Sequence, residues 1–272
     1  MAVIDIDRVA AVIAEVAAEE VVPRFRKLAA GDIREKGPGD FVTVADEATE
    51  AALEPRLAAL APGSVMLGEE AAHSDPRLID RLSEEAPVWI IDPIDGTANF
   101  AEGKPVFAVM VALVVGGELR AGWIHDPVAG KTAIAAAGEG AFLAGERLRV
   151  STAPADPAAM RGPVMAGHFG RPELGRRLQS RRGRVQAVRS LRCAGHEYIR
   201  VAAGEVDFLL FTKLMPWDHA PGVLLHAEAG GHAAYLDGGR YRPSRIDADA
   251  LLLAPDPASW ERLYDTLLGP DE

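Results

Sequence analysis

The chain has 272 residues, 49% of them hydrophobic, and a formal net charge of −11 at pH 7. That is ample apolar material for a large core, and the acidic balance argues against nucleic acid as a general partner, since no basic field exists to release counterions. A lone Cys193 excludes an intramolecular disulfide, residues 1–18 carry charges inside their apolar stretch and are not expected to be a signal peptide, and no apolar run reaches the roughly 18 residues of a membrane span; a cytoplasmic protein without membrane contact is expected.

Apolar positions Val9, Val12, Ile13, Val16 and Val21 recur at helical spacing, which predicts an amphipathic helix within residues 4–28. Residues 31–39 are charged and turn-rich, and a mobile segment is expected there. A short extended piece at 41–44 precedes a helix over 46–60, which Pro62-Gly63 stops. Residues 64–67 read as a strand ending in Gly68-Glu69-Glu70. The apolar run 88–91 reads as another strand, with Pro93 ending it because proline has no N–H for a ladder. Gly116-Gly117 between apolar runs 107–115 and 118–124 predicts a hairpin, and 131–136 and 140–150 add strands, the latter turning at Ala144-Gly145. The second half alternates: strands near 163–166, 185–188, 206–211, 232–236 and 251–254, and helices near 172–180, 194–203, 217–229 and up to 268. Such alternation implies sheets covered by helices. Two packed lobes are expected, 1–150 with most of the acidic candidates and 151–272 with Asp218.

The chemistry concentrates in Trp89-Ile-Ile-Asp-Pro-Ile-Asp-Gly-Thr-Ala-Asn-Phe100. A strand here delivers Asp92 and Asp95 to its carboxyl end, and Gly96-Thr97 opens a helix whose free N–H groups favour an anion. Glu69-Glu70 and Asp218 in Pro216-Trp217-Asp218 lie at similar junctions, where α/β scaffolds gather functional groups. Carboxylates suit hard divalent cations, and two such ions about 3.5–4 Å apart can clamp the attacking and leaving oxygens of phosphoryl transfer. Each feature also has a bland reading: Asp92, Asp95, Thr97 and Asp218 as caps, Glu69-Glu70 as a solvated strand end. His219 and His226 are expected to pack or lie at the surface, without a third ligand at zinc spacing. Cys193 reads as a small structural residue, and Trp89 and Trp217 as packing beneath the site. The arginine-rich stretch from Arg171 to Arg192 is either a solvated face or dimer contact, or a reader of substrate charge through Arg192.

Asp92-Pro-Ile-Asp-Gly-Thr97, preceded by Gly68-Glu-Glu70 and followed by Trp217-Asp218, resembles the inositol monophosphatase family of magnesium-dependent, lithium-sensitive phosphatases. Lys36, Asp40-Phe-Val-Thr-Val-Ala-Asp46, Gly138-Glu-Gly-Ala-Phe142 and Ala227-Glu-Ala-Gly-Gly231 extend the resemblance over almost the whole chain. It implies an α/β (α+β) fold, layered αβαβα, usually dimeric. It also implies that Glu69, Asp92, Asp95 and Asp218, with the Ile94 carbonyl, hold two or three Mg²⁺ ions, with Mn²⁺ as a substitute and Li⁺ and Ca²⁺ as inhibitors. Thr97 with Asp46 would orient and deprotonate the attacking water, beside the ligand Glu69. Lys36 and Glu70 would support the ligands. Asp95, Gly96, Thr97 and Asp218 would meet the phosphorylated metabolite.

This sequence departs from the family pattern where the substrate is held. A Ser-x-Gly-(Ser/Thr)-Ala loop becomes Ser190-Leu-Arg-Cys-Ala194, so Arg192 and Cys193 stand before Ala194, and the family's Glu position is Phe211. An acceptor for sugar hydroxyls is lost and a guanidinium suited to anions is gained. Poor activity on myo-inositol 1-phosphate relative to another phosphomonoester is expected. A bisphosphate nucleotidase, a fructose-1,6-bisphosphatase, a histidinol-phosphate phosphatase and a non-catalytic phospho-ligand binder stay open.

Overall fold

The computed structural model describes residues 4–37, 39–164 and 171–270. Helix α1 (Ile6–Val16) starts where the Asp5 carboxylate accepts the Arg8 N–H, and it continues as a π turn over Ala17–Val21. It ends well before residue 28, because turns follow at residues 22–26. Strands β1 (Ile33–Gly37) and β2 (Asp40–Thr43) pair antiparallel, so the segment expected to be mobile forms a strand. Helix α2 (Val44–Leu60) is capped reciprocally: Thr43 Oγ1 accepts the Ala45 N–H, and Asp46 accepts the Thr43 N–H.

Strand β3 (Val65–Gly68) leads into the short helix α3 (Glu69–Ser74) and lies parallel to β4 (Val88–Asp95). Every residue of β4 is buried. Contrary to the sequence reading, β4 does not end at Pro93. The pairing passes from Asp92 opposite Met110 to Asp95 opposite Ala108, so a bulge holds the extra residue and needs no proline N–H. Helix α4 (Thr97–Ala101) follows Gly96, whose φ of 85° is left-handed. Strands β5 (Ala108–Val115), β6 (Glu118–Asp126), β7 (Lys131–Ala136), β8 (Gly140–Leu143) and β9 (Glu146–Arg147) then meander. The result is a seven-stranded sheet in the order β3-β4-β5-β6-β7-β8-β9.

Past residue 150, β10 (Arg161–Pro163) and β11 (Gln186–Val188) pair in parallel around α5 (Pro172–Arg181). Residues 165 and 166 of the strand expected near β10 lie outside the described residues. Helix α6 (Ala194–Ala202), strand β12 (Leu209–Phe211), helix α7 (Pro216–Glu228), strands β13 (His232–Tyr235) and β14 (Leu251–Ala254) and helix α8 (Pro257–Leu268) complete the chain. A second sheet has the order β12-β14-β13.

Alternation of side chains along the strands builds the layers. Val109, Val111 and Leu113 of β5 pack with α1 and α2, whereas Ala108 and Met110 pack with Tyr198 of α6 and Leu225 of α7. Leu251 and Leu253 of β14 join that second cluster, while Leu252 faces Leu178 of α5 and Leu263 of α8. The order is therefore helices, large sheet, α6 and α7, small sheet, helices: the αβαβα sandwich. No helix among the described residues is long and apolar enough to cross a membrane.

Candidate active site

The carboxyl end of β4, the start of α3 and the first turns of α6 and α7 bring the acidic candidates together. Asp92 is 1% exposed, and its Oδ1 is buried without a hydrogen-bond partner. Burial first, and then the charges of Glu69, Asp95, Asp218 and Asp46, hold its carboxyl well above the usual carboxylate range. Asp218, in the first turn of α7, is pushed up by burial and by Glu69, against the opposing charge of Lys213. Glu69 is likewise raised by burial, which outweighs Lys36.

Two of these carboxylates are engaged by the protein. Asp95 Oδ1 accepts the Ala194 N–H at 3.0 Å, and Oδ2 accepts the Gly195 N–H at 2.7 Å and the Cys193 thiol at 2.8 Å. Asp95 thus caps α6 from outside, in place of the N-cap residue Cys193. Lys36 Nζ lies 2.9 Å from both Glu69 Oε1 and Glu70 Oε1, with its side chain only 6% exposed. Burial opposes its charge, but the two glutamates prevail and raise its pKa. Among the described residues, no three His, Cys, Asp or Glu side chains already form a metal cage. The donor chemistry nonetheless fits a hard divalent cation: clustered carboxylates, mutually repelling, with one buried oxygen that nothing satisfies.

Beside them lies a hydroxyl–carboxylate pair. Thr97 Oγ1 sits 2.8 Å from the Ile94 carbonyl and 3.2 Å from Asp46 Oδ1. Asp46 Oδ2 accepts the N–H and hydroxyl of Thr43 at 2.8 and 2.6 Å. Burial pushes the Asp46 carboxyl up to about 7 despite those bonds, with Glu69 and Glu70 adding to the rise. The capping of α2 and the orientation of Thr97 are therefore served by one side chain.

A cavity of about 150 Å³ opens next to Asp95 and Asp218, lined also by Arg192, Cys193, Ala194 and Phe211. Gly96 and Thr97 are half-buried nearby in the chain. A side chain at Gly96 would meet the Val106 and Arg192 carbonyls at 3.1 and 3.4 Å, besides the cost of its left-handed φ. Cys193 is buried, its thiol pushed up by burial and spent on Asp95. Phe211 stacks on Tyr198, with ring centres 5.2 Å apart. His219 and His226 are buried and both held neutral, with burial lowering each pKa to about 4. Trp89 packs on Trp123 in the α1/α2 layer, while Trp217 packs with Leu67 and Ile90 in another cluster.

Sequence reasoning missed several residues that build this site. Glu50 accepts the N–H groups of Glu70 and Ala71 at 3.0 and 2.9 Å and so aims the start of α3. A Cβ on Gly68 would stand 2.2 Å from the Glu50 carboxyl carbon, which explains the glycine before the glutamates. Asn99 Nδ2 reaches the carbonyls of Val106 and Leu191, both at 2.9 Å, tying α4 to the 190s loop. Lys213 also lines the cavity. Its only sequence signal was a cation close before Asp218. Glu228 explains two of the resembling motifs together, for its carboxylate accepts the N–H groups of Gly138 and Gly140, both at 2.8 Å.

Relatives carry the next step. An inositol-1-monophosphatase of Mesorhizobium japonicum is 37% identical over 208 residues, covering 75% of this chain and 76% of that protein. A protein of Thermotoga maritima named fructose-1,6-bisphosphatase/inositol-1-monophosphatase is 33% identical over 205 residues, covering 75% of each. The solved structure of the extragenic suppressor protein suhB from Bartonella henselae superposes with a TM-score of 0.78 at 26% identity, covering 95% of both chains. The fold and these relatives make the protein an enzyme, a phosphoric monoester hydrolase. The family model described as the inositol monophosphatase family matches residues 4–267, and the chain belongs to that family.

Proposed function

We propose that this enzyme hydrolyses a small phosphorylated metabolite with Mg²⁺ bound by Glu69, Asp92, Asp95, Asp218 and the Ile94 carbonyl. The observation that carries the reading is the buried, unpartnered Asp92 Oδ1 amid other carboxylates. An unpaired carboxylate oxygen buried among like charges calls for a cation, and oxygen-rich donors of this kind suit Mg²⁺. When bound, divalent cations neutralise phosphate charge and acidify the attacking water. Asp95 would then exchange part of its contact with α6 for the cation, and Lys36 would keep Glu69 and Glu70 aligned.

The remaining chemistry belongs to the chain. The Thr97 hydroxyl receives a proton from water while passing its own to Asp46, 3.2 Å away. Asp46 is fixed for that task by the Thr43 N–H and hydroxyl on its other oxygen. The backbone at Gly96 and Thr97 receives the phosphate oxygens, with Ala194 on the substrate's other side.

The test is phosphate release from a panel of small phosphomonoesters, with and without Mg²⁺. Release is expected only with the ion. Asp92→Asn should abolish it, together with the upward shift in melting temperature that Mg²⁺ produces, while circular dichroism stays unchanged. Mg²⁺-independent turnover, or an Asp92→Asn protein still stabilised by Mg²⁺ and active, would overturn the reading.

A further inference from the structure

The cavity beside the carboxylates has an apolar part with a chemistry of its own. Phe211 is 8% exposed and fixed between Tyr198 and His219, whose ring centres lie 5.2 and 4.7 Å away. His219 is itself tied by Tyr198 at 3.0 Å and by the Lys213 carbonyl at 2.7 Å. This side therefore offers a rigid ring that neither donates nor accepts a strong hydrogen bond.

Two cations flank it. The Lys213 side chain is 47% exposed, and its Nζ donates a hydrogen bond at 3.3 Å to the Asp40 carboxylate, which is exposed as well. The Arg192 side chain is 55% exposed and comes no nearer than 3.8 Å to Glu102. Exposed pairs of this kind contribute little, so an anionic ligand can displace both. The contrast with Lys36, held at 2.9 Å by two glutamates and 6% exposed, is sharp.

Arg192 also occupies its place under strain. Its φ of 56° is left-handed, a conformation uncommon for a side chain of this size. The conformation is pinned from three sides: Asn99 Nδ2 to the Leu191 and Arg192 carbonyls at 2.9 and 3.3 Å, and Glu197 to the Leu191 N–H at 2.6 Å. Such over-determined strain marks a residue whose position matters.

We propose that this part of the cavity selects phosphomonoesters carrying a second anionic group, a phosphate or a carboxylate, which Lys213 and Arg192 hold while Phe211 packs against the carbon skeleton between the two ends. The selection rests on the phosphatase reading above and names the class of substrate for that site. Lys213 is shared with the carboxylate side, since Asp218, Asp40 and Glu69 all act on its charge. Cations bound by those carboxylates would leave Lys213 free to face the substrate's far end. Guanidinium and ammonium together suit either anion, because the first forms paired bonds and the second a point contact.

The experiment compares kcat/KM in saturating Mg²⁺ within matched pairs. Glycerol 3-phosphate against 3-phosphoglycerate adds a carboxylate, and fructose 6-phosphate against fructose 1,6-bisphosphate adds a phosphate. The doubly anionic member of at least one pair should be favoured about 10-fold or more, mostly through KM, as charge-assisted hydrogen bonds predict. The favoured pair identifies which anion is read. Lys213→Met and Arg192→Ala should each shrink that ratio about 10-fold or towards unity, Lys213→Arg should restore much of it, and added salt should erode it. A wild-type ratio near or below unity in both pairs, or ratios unmoved by both substitutions, would sink the selection while leaving the phosphatase intact. If no phosphomonoester is turned over, both fall together.

Discussion

The acidic floor of the cavity and the arginine-rich segment that precedes α6 are both crowded with charge of one sign, but the fold resolves the two in opposite ways. Arg171 reaches Asp249 and the carbonyls of Asp247 and Ala248, Arg177 reaches the Leu268 carbonyl at 2.9 Å, and Arg181 reaches the Gly269 carbonyl at 2.6 Å. Those cations fasten α5 to the chain before β14 and to the end of α8, supplying carbonyls at a helix terminus with donors. On the acidic side, Asp92 keeps an oxygen with no partner, and burial first, then Glu69, Asp95 and Asp218, raise its pKa. Satisfied charge of this kind is architecture, whereas unsatisfied buried charge points to a missing ion or a reaction. The arginine stretch accordingly divides: Arg171, Arg177 and Arg181 hold the fold together, while Arg192 lines the cavity.

The largest effect that sharpens this contrast is in pH. Asp46 rises from 3.8 to about 7 and Glu50 from 4.5 to about 7 on folding. A raised carboxyl pKa means that the folded chain keeps a proton the unfolded chain has lost. Its stabilising contribution is whole below about pH 4 and disappears as pH climbs through about 7. The full loss is at most about 4 kcal/mol for Asp46 and about 3 kcal/mol for Glu50. Over the same range His219 and His226, lowered from 6.5 to about 4, gain stability as the unfolded chain gives up its protons there. The carboxyl effect is therefore read as a difference: between pH 5 and pH 8 the metal-free wild type should lose on the order of 5 °C more in melting temperature than Asp46→Asn. Equal losses in the two proteins would show that Asp46 is as well satisfied as the arginines.

A smaller effect separates chemistry from architecture at Thr97. Its hydroxyl touches Ile94 and Asp46 but fastens no helix end. Thr97→Val keeps the shape and removes the proton path, so kcat should fall about 10²-fold, the usual worth of a positioned proton-transfer group. The melting temperature should hardly move. Unchanged kcat at saturating Mg²⁺ would remove Thr97 from the reaction.

Much of this was legible beforehand. Alternation of strand and helix patterns predicted sheets covered by helices, the resemblance implied the five layers, and 131–136 and 251–254 match β7 and β14 residue for residue. Asp46 and Thr97, far apart in sequence, meet as the resemblance implied. What was hidden depends on pairing that no local pattern reports. Pro93 stays in β4 because a bulge excuses its missing N–H, which can be known only once β5 is alongside. Charged β1 looked like a turn because its alternation is weak, and it becomes a strand through β2 and the Lys36 bridge to Glu69 and Glu70. Glu50 sits inside a helix and reads as surface charge until Gly68 brings the α3 N–H groups to it.

The smallest of these effects tests the arginine side. Arg181 is 2% exposed, yet it belongs to a segment whose composition suggests solvated charge. Its bond to the Gly269 carbonyl at 2.6 Å ties the end of α5 to the residue that closes α8. Arg181→Met keeps most of the apolar stem, which packs where the guanidinium did, and gives up the charge-assisted bond while leaving that carbonyl wanting a donor. Removal of such a group from a buried site costs about 1.5–3 kcal/mol. Chemical denaturation should show a lower midpoint with an unchanged slope, and phosphate release per folded molecule should match the wild type, because Arg181 is not among the residues that line the cavity. Lost activity at full stability would place this arginine with the acidic floor rather than against it, and the division between satisfied and unsatisfied charge would no longer separate fold from function in this enzyme.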